Sequence, residues 1–246
     1  MNEHIIDRDK ASMFQRLQAI DWPERLQVLF DRGHVILPDI LSDDECREAI
    51  DGYAEPTLYR KTVNMARHRF GKGEYKYFSY PLPLYLQTLR TFLYPHLAAV
   101  ANLWSRALQL DVQFPTDHAV LREQCREAGQ LLPTPLILKY GPGGHNTLHQ
   151  DLYGDVYFPL QAVCLLSDPE IDFSGGEFVL VEQYPRAQSK ALVLPVRKGD
   201  MLIFTTRFRP EQGSKGYYRV NVRHGVSEIH QGNRYAMGII FHDAVS

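Results

Sequence analysis

The amino-acid sequence predicts a mostly β protein, a sandwich or barrel of short strands with helices packed on one face. Apolar residues fall mostly at helical spacing over residues 11–130, whereas residues 134–242 carry short apolar runs. Those runs recur at nearly regular intervals and are bounded by Gly, Pro, Asp or Ser, which is typical of sandwiches and barrels. Helices that precede such strands can bury their apolar sides against the sheet, so we expect them on one of its faces.

Composition and charge limit the class of protein. The 246 residues are 44% hydrophobic and carry a net charge of -2, which excludes a globally basic nucleic-acid coat but not a local basic patch. Cys46, Cys125 and Cys164 are too few and too far apart for a disulfide framework or a CxxC zinc site. The polar start over residues 1–10 carries no secretory signal, and no apolar run has the length of a membrane span. We therefore expect a cytoplasmic protein without membrane association.

The N-terminal half contains clear helix boundaries. Pro23 suits the first turn of a helix and Gly33 suits its end, and Ser42 followed by Glu45 is a capping box. Pro95 divides or bends one long apolar segment. We expect helices over residues 11–20, 23–32, 42–50, 84–110 (one or two helices) and 116–128, with a short strand over residues 34–37.

The C-terminal half has the period of strands. After Pro133, apolar runs alternate with turn residues. We expect strands over residues 135–140, 159–166, 177–181, 191–196, 201–205, 216–222 and 235–242.

A Gly/Pro turn after the first of these strands leads into the pair His149 and Asp151. Residues two apart on an extended chain point to the same side, so the imidazole and the carboxylate converge. A histidine from a distant strand would complete a 2-His-1-carboxylate set, which leaves open positions and suits non-haem Fe(II). The pair alone is weak evidence, because this spacing also arises by chance and His149 can simply hydrogen-bond Asp151.

His224 is the candidate for the third ligand, since it ends an apolar strand beside a glycine that allows close approach. A turn histidine is the structural alternative. His145, His230 and His242 compete for the role. His145 follows Gly-Pro-Gly-Gly, so a helical zinc motif is not expected there, and we expect His242 at the edge of the last strand.

Arg234 follows His224 by ten residues and opens the last apolar strand. A guanidinium inside an apolar strand requires an anionic partner, and arginine clamps carboxylates through two parallel hydrogen bonds. The sequence leaves open whether Arg234 binds such an anion or lies on the surface.

Together these features resemble the Fe(II)/2-oxoglutarate-dependent dioxygenase superfamily, whose site combines an HxD pair, a distant His and an Arg ten residues later. LKYGPGGHNTLHQD (residues 138–151) is similar to the ligand strand of prolyl-hydroxylase-type and nucleobase-demethylase members. Further similar segments are SGGEF (174–178), KGDMLIF (198–204), RHGV (223–226), GNRY (232–235) and HVILPD (34–39). The resemblance covers residues 33–242 and is strongest over 135–242.

The resemblance implies a double-stranded β-helix, or jelly roll, with helices packed on one sheet. Residues 1–32 would be a helical extension and residues 33–246 one domain, helix-rich over 33–130 with core strands over 134–242.

The resemblance also implies a site and a reaction. His149, Asp151 and His224 would hold Fe(II), and 2-oxoglutarate would bind the iron with its far carboxylate on Arg234. Tyr140 matches a position where related enzymes place a tyrosine near the cosubstrate, although a core tyrosine is equally compatible. The enzyme would consume O2 and hydroxylate a substrate C–H, with release of succinate and CO2.

The substrate is less defined. Nucleobase demethylases have a second Arg six residues after the first, where this chain has Ile240. The residues that would bind the cosubstrate therefore resemble those of the prolyl-hydroxylase type. The pattern is also similar to a bacterial branch with a suggested role in oxidising damaged nucleic acid. One segment interleaves basic and aromatic residues suited to phosphates and bases: Arg60, Lys61, Arg67, Arg69, Lys72 and Lys76 among Tyr59, Phe70, Tyr75, Tyr77 and Phe78. A second basic run is Arg207, Arg209, Lys215, Arg219 and Arg223, and solvated loops are the alternative for both.

Three functions remain compatible with the sequence. The first is an oxygenase acting on damaged nucleic acid, the second is a peptide or amino-acid hydroxylase of the prolyl-hydroxylase type, and the third is a non-catalytic jelly-roll sensor of metal or 2-oxoglutarate. The intact triad and Arg234 favour an oxygenase, because a pure binding module has no need of an open iron position.

Overall fold

The computed structural model describes residues 12–169 and 171–245. The predictions made for residues 1–11, including the polar start and the beginning of the first helix, lie outside the described residues. The α-helices are α1 (Met13–Gln18), α2 (Trp22–Arg32), α3 (Asp43–Asp51), α4 (Leu84–Ala107) and α5 (His118–Glu127). The segment 84–110 is thus one helix with Pro95 inside it.

Strands make up most of the remaining chain. They are β1 (His34–Leu37), β2 (Tyr59–Asn64), β3 (Gly71–Lys72), β4 (Glu74–Phe78), β5 (Leu136–Tyr140), β6 (His145–His149), β7 (Leu160–Leu165), β8 (Phe173–Gly175), β9 (Phe178–Gln183), β10 (Ser189–Leu194), β11 (Met201–Thr205), β12 (Phe208–Gly213), β13 (Gly216–Val226), β14 (Ile229–Gly232) and β15 (Arg234–Ile239).

Two antiparallel sheets enclose the site. The larger sheet has the order β1-β11-β7-β15-β5-β4-β2, and the smaller has the order β10-β9-β13-β6-β3 with β12 beside β13. The chain crosses between them repeatedly: β5, β7, β11 and β15 lie in the larger sheet, and β6, β9, β10 and β13 lie in the smaller. This winding is a double-stranded β-helix, so the predicted fold class is confirmed.

The strands of the larger sheet have two apolar faces. On the outer face, Ile137, Ala162, Ile203 and Met237 join a core with residues of α1, α2 and α4. On the inner face, alternate residues such as Val163, Leu202 and Ala236 pack with the smaller sheet. The helices therefore cover one sheet, as predicted.

Residues 12–32 are tied to this outer core. Leu17 and Leu29 are fully buried in it, and the Arg16 guanidinium donates to the Ile40 carbonyl at 2.9 Å. The division into an extension over residues 1–32 and one domain over 33–246 stays a prediction.

The expectation of a mostly helical N-terminal half is wrong for residues 59–78. There β2 and β4 pair with each other, and β4 pairs with β5, so the segment extends the larger sheet. Its aromatic and β-branched residues favour strands once a sheet edge is available. Strand β13 also continues to Val226, beyond the predicted end at residue 222, and therefore contains His224.

None of the described helices is both long and apolar enough to cross a membrane.

Candidate metal centre and its cavity

A cavity of about 260 Å³ lies between the two sheets. Its walls come from inward-facing residues of the larger sheet, such as Leu138, Val163 and Ala236, and from the smaller sheet. Most of this lining is apolar, so water bound there finds few hydrogen-bond partners. The polar residues of the lining include His149, Asp151, His224 and Arg234.

His149, Asp151 and His224 lie together at the cavity wall. His149 is the last residue of β6, and its register partner on the neighbouring β13 is His224. Asp151 follows β6 by two residues, and its carboxylate oxygens lie 3.4 Å from His149 Nε2 and 3.3 Å from His224 Nε2. One potential ligand atom from each residue lies within 4.8 Å of the others. Strand pairing thus brings together the three predicted ligands.

The electrostatics of this cluster favour an ionised carboxylate. Burial by itself raises the pKa of Asp151, but hydrogen bonds and charge from His149 and His224 outweigh it and hold that pKa well below its usual value. Burial lowers the pKa of His224, and His149 opposes a second positive charge beside it. Two imidazoles and one anionic carboxylate form a donor set that fits a divalent metal with open positions.

The ring of His149 is oriented by the backbone. Its Nδ1 lies 2.7 Å from the Thr147 carbonyl, which can only accept, so Nδ1 carries the proton. Nε2 faces Asp151 and can bind a metal once it has lost its proton, while the Thr147 carbonyl holds Nδ1–H. Such a hydrogen bond on the distal nitrogen is the usual support of a metal-ligating histidine.

Two residues that the sequence analysis did not identify contact Asp151. The Tyr153 hydroxyl donates to Oδ1 at 3.0 Å, and the Gln161 amide donates to Oδ2 at 2.9 Å. Gln161 is the one polar residue of β7, a strand that is buried throughout. A buried amide needs a partner, and this was an available signal. Nothing in the local sequence singled out Tyr153.

Arg234 also lines the cavity. It is 3% exposed, forms no ion pair with any described residue, and its Nε has no hydrogen-bond partner among them. Burial lowers the pKa of this guanidinium. A buried cation without an anion is costly, so the site fits a ligand that brings a carboxylate.

Tyr140 is the register partner of Arg234 on β5 and is fully buried. The Arg234 guanidinium carbon lies 5.8 Å from the centre of its ring. Burial raises the pKa of the Tyr140 hydroxyl to about 12, so it stays protonated and able to donate. The Asn146 amide lies near this hydroxyl, but outside normal hydrogen-bond geometry.

The competing histidines lie elsewhere. His145 is held by the Gly143 carbonyl at 3.2 Å, and His230 is exposed on β14. The expectation of an edge position for His242 is wrong: it is 1% exposed, and its Nδ1 accepts from the Phe158 N–H at 3.1 Å. The chain turns back into the core after β15 ends at Ile239, which buries His242.

The basic and aromatic segment is only partly available to a ligand. Arg60 lies over the Tyr77 ring at 4.5 Å, and the Lys76 amine lies over the Tyr53 ring at 4.1 Å. Tyr77 and Phe78 are buried and cannot stack a base, which corrects that expectation. The exposed members are Lys61, Arg67, Arg69, Phe70 and Lys72.

The second basic run, over residues 207–223, also contains both buried and exposed arginines. Arg209 is buried and paired with Glu182 at 2.7 Å, so it is a structural residue. Arg223 is exposed next to His224 on β13. Because neighbouring residues of a strand face opposite sides, Arg223 points away from the cavity.

Comparisons with known proteins agree with this geometry. A family model named Oxygenase-NA, described as an oxygenase catalysing oxidative methylation of damaged DNA, matches residues 73–244. The chain belongs to this family. An uncharacterized protein of Mycobacterium tuberculosis (strain H37Rv) is 48% identical over 167 residues, which are 68% of this chain and 72% of that protein.

Solved structures with little sequence identity share the fold. A prolyl-4-hydroxylase of Pseudomonas putida is 16% identical with a TM-score of 0.52, over 91% of this chain and 100% of that chain. A 2OG-Fe(II) oxygenase family oxidoreductase of Burkholderia pseudomallei is 15% identical with a TM-score of 0.50, over 93% and 95%. This chain has the same jelly-roll core. The description of its family makes it an oxygenase and therefore an oxidoreductase, as the sequence predicted.

Proposed function

We propose that this oxygenase hydroxylates a C–H group of damaged nucleic acid, with Fe(II) held by His149, Asp151 and His224. The far carboxylate of 2-oxoglutarate would pair with Arg234, beside Tyr140. The observation that carries the assignment is that one cavity contains both a set of potential metal ligands and a buried cation that can bind a carboxylate. It holds a cluster of two imidazoles and a carboxylate and, elsewhere on its wall, a buried guanidinium without an anion.

When Fe(II) and 2-oxoglutarate are bound, they supply oxidation of a substrate C–H coupled to decarboxylation to succinate and CO2. The protein's residues supply the surroundings. Thr147 fixes the ring of His149, Tyr153 and Gln161 hold the Asp151 carboxylate, and Tyr140 keeps a proton available for a ligand oxygen. Apolar side chains such as Val163 and Phe204 keep the cavity poor in water.

Two observations support nucleic acid as the substrate class. The family is described by its action on damaged DNA, and the exposed residues Arg67 and Arg69 adjoin Phe70, which lines the cavity. Cations near a site raise the local concentration of a polyanion. Of the residues considered from sequence, Lys61, Arg67 and Arg69 remain candidates for phosphate contacts, whereas Arg60, Lys72 and Lys76 donate to carbonyl groups of the protein itself.

The test combines metal binding with a product screen. His149→Ala, Asp151→Ala and His224→Ala should each abolish stoichiometric Fe(II) binding, measured anaerobically, and turnover. His230→Ala, which removes an exposed histidine, is the matched control. Full activity in the His224→Ala protein would overturn the ligand assignment.

The substrate is tested by mass spectrometry with Fe(II), 2-oxoglutarate and ascorbate. Alkylated oligonucleotides should give an oxidised product with one added oxygen and one equivalent of succinate. A product from peptides or amino acids alone would identify a peptide or amino-acid hydroxylase instead. Binding of metal and 2-oxoglutarate without succinate from any substrate would indicate a non-catalytic sensor.

We also propose a cytoplasmic location. The three cysteines are buried and unpaired, which is the usual state of thiols in a reducing compartment.

A further inference from the structure

Residues 67–70, Arg67-His68-Arg69-Phe70, form an exposed turn at the mouth of the cavity. Phe70 lines the cavity while its side chain is 47% exposed. The rings of His68 and Phe70 are stacked, with centroids 5.3 Å apart and planes inclined by 21°. Each ring covers one face of the other, so the turn presents their outer faces as an aromatic surface beside the cavity that His149, Asp151 and His224 line.

This surface is held in place although it is not buried. The Phe70 carbonyl accepts two hydrogen bonds from Thr147, from the backbone N–H at 3.0 Å and from the hydroxyl at 2.9 Å. The Phe70 N–H donates to the Met65 carbonyl at 3.1 Å. Since Thr147 is two residues from His149, the position of the ring is coupled to the strand that carries a metal ligand. These bonds fix the backbone that carries the ring, so binding restricts the side-chain torsions and not the turn itself.

Two positively charged side chains lie on the same turn as the aromatic surface. Arg67 and Arg69 are exposed and form no ion pair within the described part of the chain. Arg69 has a φ of 59°, a left-handed conformation that arginine adopts only at a cost. The only acid of residues 60–76, Glu74, accepts from the Tyr53 hydroxyl at 2.6 Å. No neighbouring carboxylate of this segment neutralises the two guanidinium groups.

Exposed apolar side chains also lie near the cavity. Leu152 lines the cavity and is 46% exposed, and Leu148, beside Thr147, is 45% exposed. A ligand that enters here meets an apolar rim and a cationic edge. A base with its phosphate has this distribution of apolar face and negative charge, whereas an acidic peptide offers charge without a flat ring.

We propose that residues 67–70 are a stacking platform for single-stranded nucleic acid. This inference rests on the proposed function and deepens it: the Phe70 ring stacks on the base next to the one in the cavity, and Arg67 and Arg69 contact the adjoining phosphates. Stacking on a side-chain ring needs an unpaired base, because both faces of a base inside a duplex are covered. The platform therefore favours single strands over intact duplex.

The test measures binding of a fluorescein-labelled single-stranded 12-mer and its duplex by anisotropy at several salt concentrations. Phe70→Ala should weaken single-strand binding about 5- to 100-fold, as expected for the loss of one stacked base, with the same salt slope. Phe70→Trp should retain the affinity. Phe14→Ala is the matched control, because Phe14 is 43% exposed on α1 and does not line the cavity.

A second variant separates charge from stacking. Arg67→Gln with Arg69→Gln should flatten the plot of log K against log salt by about 1.4, since each lost phosphate contact of a single strand contributes about 0.7. Arg106→Gln, an exposed arginine on α4, should leave the slope unchanged. Melting temperatures show that each variant is folded.

The outcomes are distinguishable. If the wild-type protein binds single strands and Phe70→Ala equals Phe14→Ala, the platform is wrong while the proposed function stands. Equal loss of duplex and single-strand affinity in Phe70→Ala would likewise overturn it. If no oligonucleotide binds below about 100 μM, nucleic acid is wrong as the substrate class and the platform fails with it.

Discussion

The Asp151 carboxylate receives a hydrogen bond on each oxygen, from Tyr153 at 3.0 Å and from Gln161 at 2.9 Å. An unsupported carboxylate rotates freely about its side-chain bonds, and that freedom is lost when a metal binds. Two donors from different elements, the loop after β6 and strand β7, remove the freedom in advance. Both residues are thus positioning residues for the proposed ligand.

Tyr153→Phe removes one of these donors and keeps the ring. Loss of such a support costs about 10- to 100-fold in metal affinity in comparable sites, so we expect a weakening of at least about tenfold, measured by anaerobic Co(II) titration. Tyr157→Phe, in the same loop but outside the cavity lining, should bind the metal normally. Identical affinities for the two variants would show that Tyr153 does not position Asp151.

Arg234→Leu should raise the KM for 2-oxoglutarate strongly while metal binding survives. Removal of one partner of a desolvated, charged hydrogen-bonded pair costs about 2–5 kcal/mol, and each 1.4 kcal/mol is a factor of ten. Arg223→Leu is the control, since Arg223 is exposed on β13. An unchanged KM in the Arg234 variant would show that the cosubstrate carboxylate binds elsewhere.

At the scale of elements, the C-terminal end of α2 packs closely against β12 of the smaller sheet. Gly33 ends α2 with a φ of 71°, and its N–H donates to the Leu29 carbonyl at 2.9 Å. A Cβ added at Gly33 would lie 2.6 Å from Cδ of Arg209, whose guanidinium pairs with Glu182 in the core. The glycine is therefore required both by the backbone conformation and by the close approach of β12.

Two glycine substitutions separate these requirements. Gly33→Ala and Gly129→Ala both place alanine at positive φ, 71° and 76°, but a Cβ at Gly129 meets nothing within 4 Å. The backbone cost of about 1–2 kcal/mol applies to both. We expect the free energy of unfolding, from urea titration, to fall by a further 1 kcal/mol or so for Gly33→Ala. Equal losses would mean that Arg209 moves aside without cost.

For the whole molecule, a buried polar cluster joins the helices to the C-terminal end of the larger sheet. Arg90 of α4 is fully buried and pairs with Asp243 at 2.6 Å. His118 of α5 approaches the Phe241 carbonyl through Nε2 at 2.8 Å. Burial, reinforced by the charge of Arg90, lowers the pKa of His118 to about 4, with Arg122 adding to this and Asp243 opposing it. His118 is therefore neutral in the folded protein at neutral pH.

This shift predicts a loss of stability in acid. Above about pH 6.5 the imidazole is neutral in both states. Between pH 6.5 and 4 only the unfolded chain binds a proton, so stability falls with falling pH by about 3 kcal/mol at most from this group. Below pH 4 the contribution levels off. In urea titrations, His118→Gln should lose less stability over this window than the wild-type protein, whereas the exposed His230→Gln should follow the wild type. If the free energy of unfolding of His118→Gln fell with pH as steeply as that of the wild type, His118 would not contribute to the loss of stability in acid.

Residue chemistry and local pattern were sufficient for much of the fold and for the main members of the site. Short apolar runs bounded by turn residues predicted β5, β7, β9, β11 and β15, because a run of this length and composition is typical of a buried strand. The spacing of His149 and Asp151, with His224 downstream, indicated a set of metal ligands. Arg234, ten residues after His224, indicated an anion-binding residue. Imidazole, carboxylate and guanidinium groups can be recognised from residue identity, so the sequence alone indicates which residues can bind a metal or an anion.

Only the tertiary structure decided which groups meet and which are free. The pairing of β13 with β6 places His224 beside His149, and the inward side of β7 places Gln161 on Asp151. The pairing of β2 and β4 with the larger sheet buries Tyr77 and engages Arg60, leaving Arg67, Arg69 and Phe70 exposed. These outcomes depend on contacts between residues distant in the chain, and the local sequence pattern that predicts a strand does not encode which strand lies beside it.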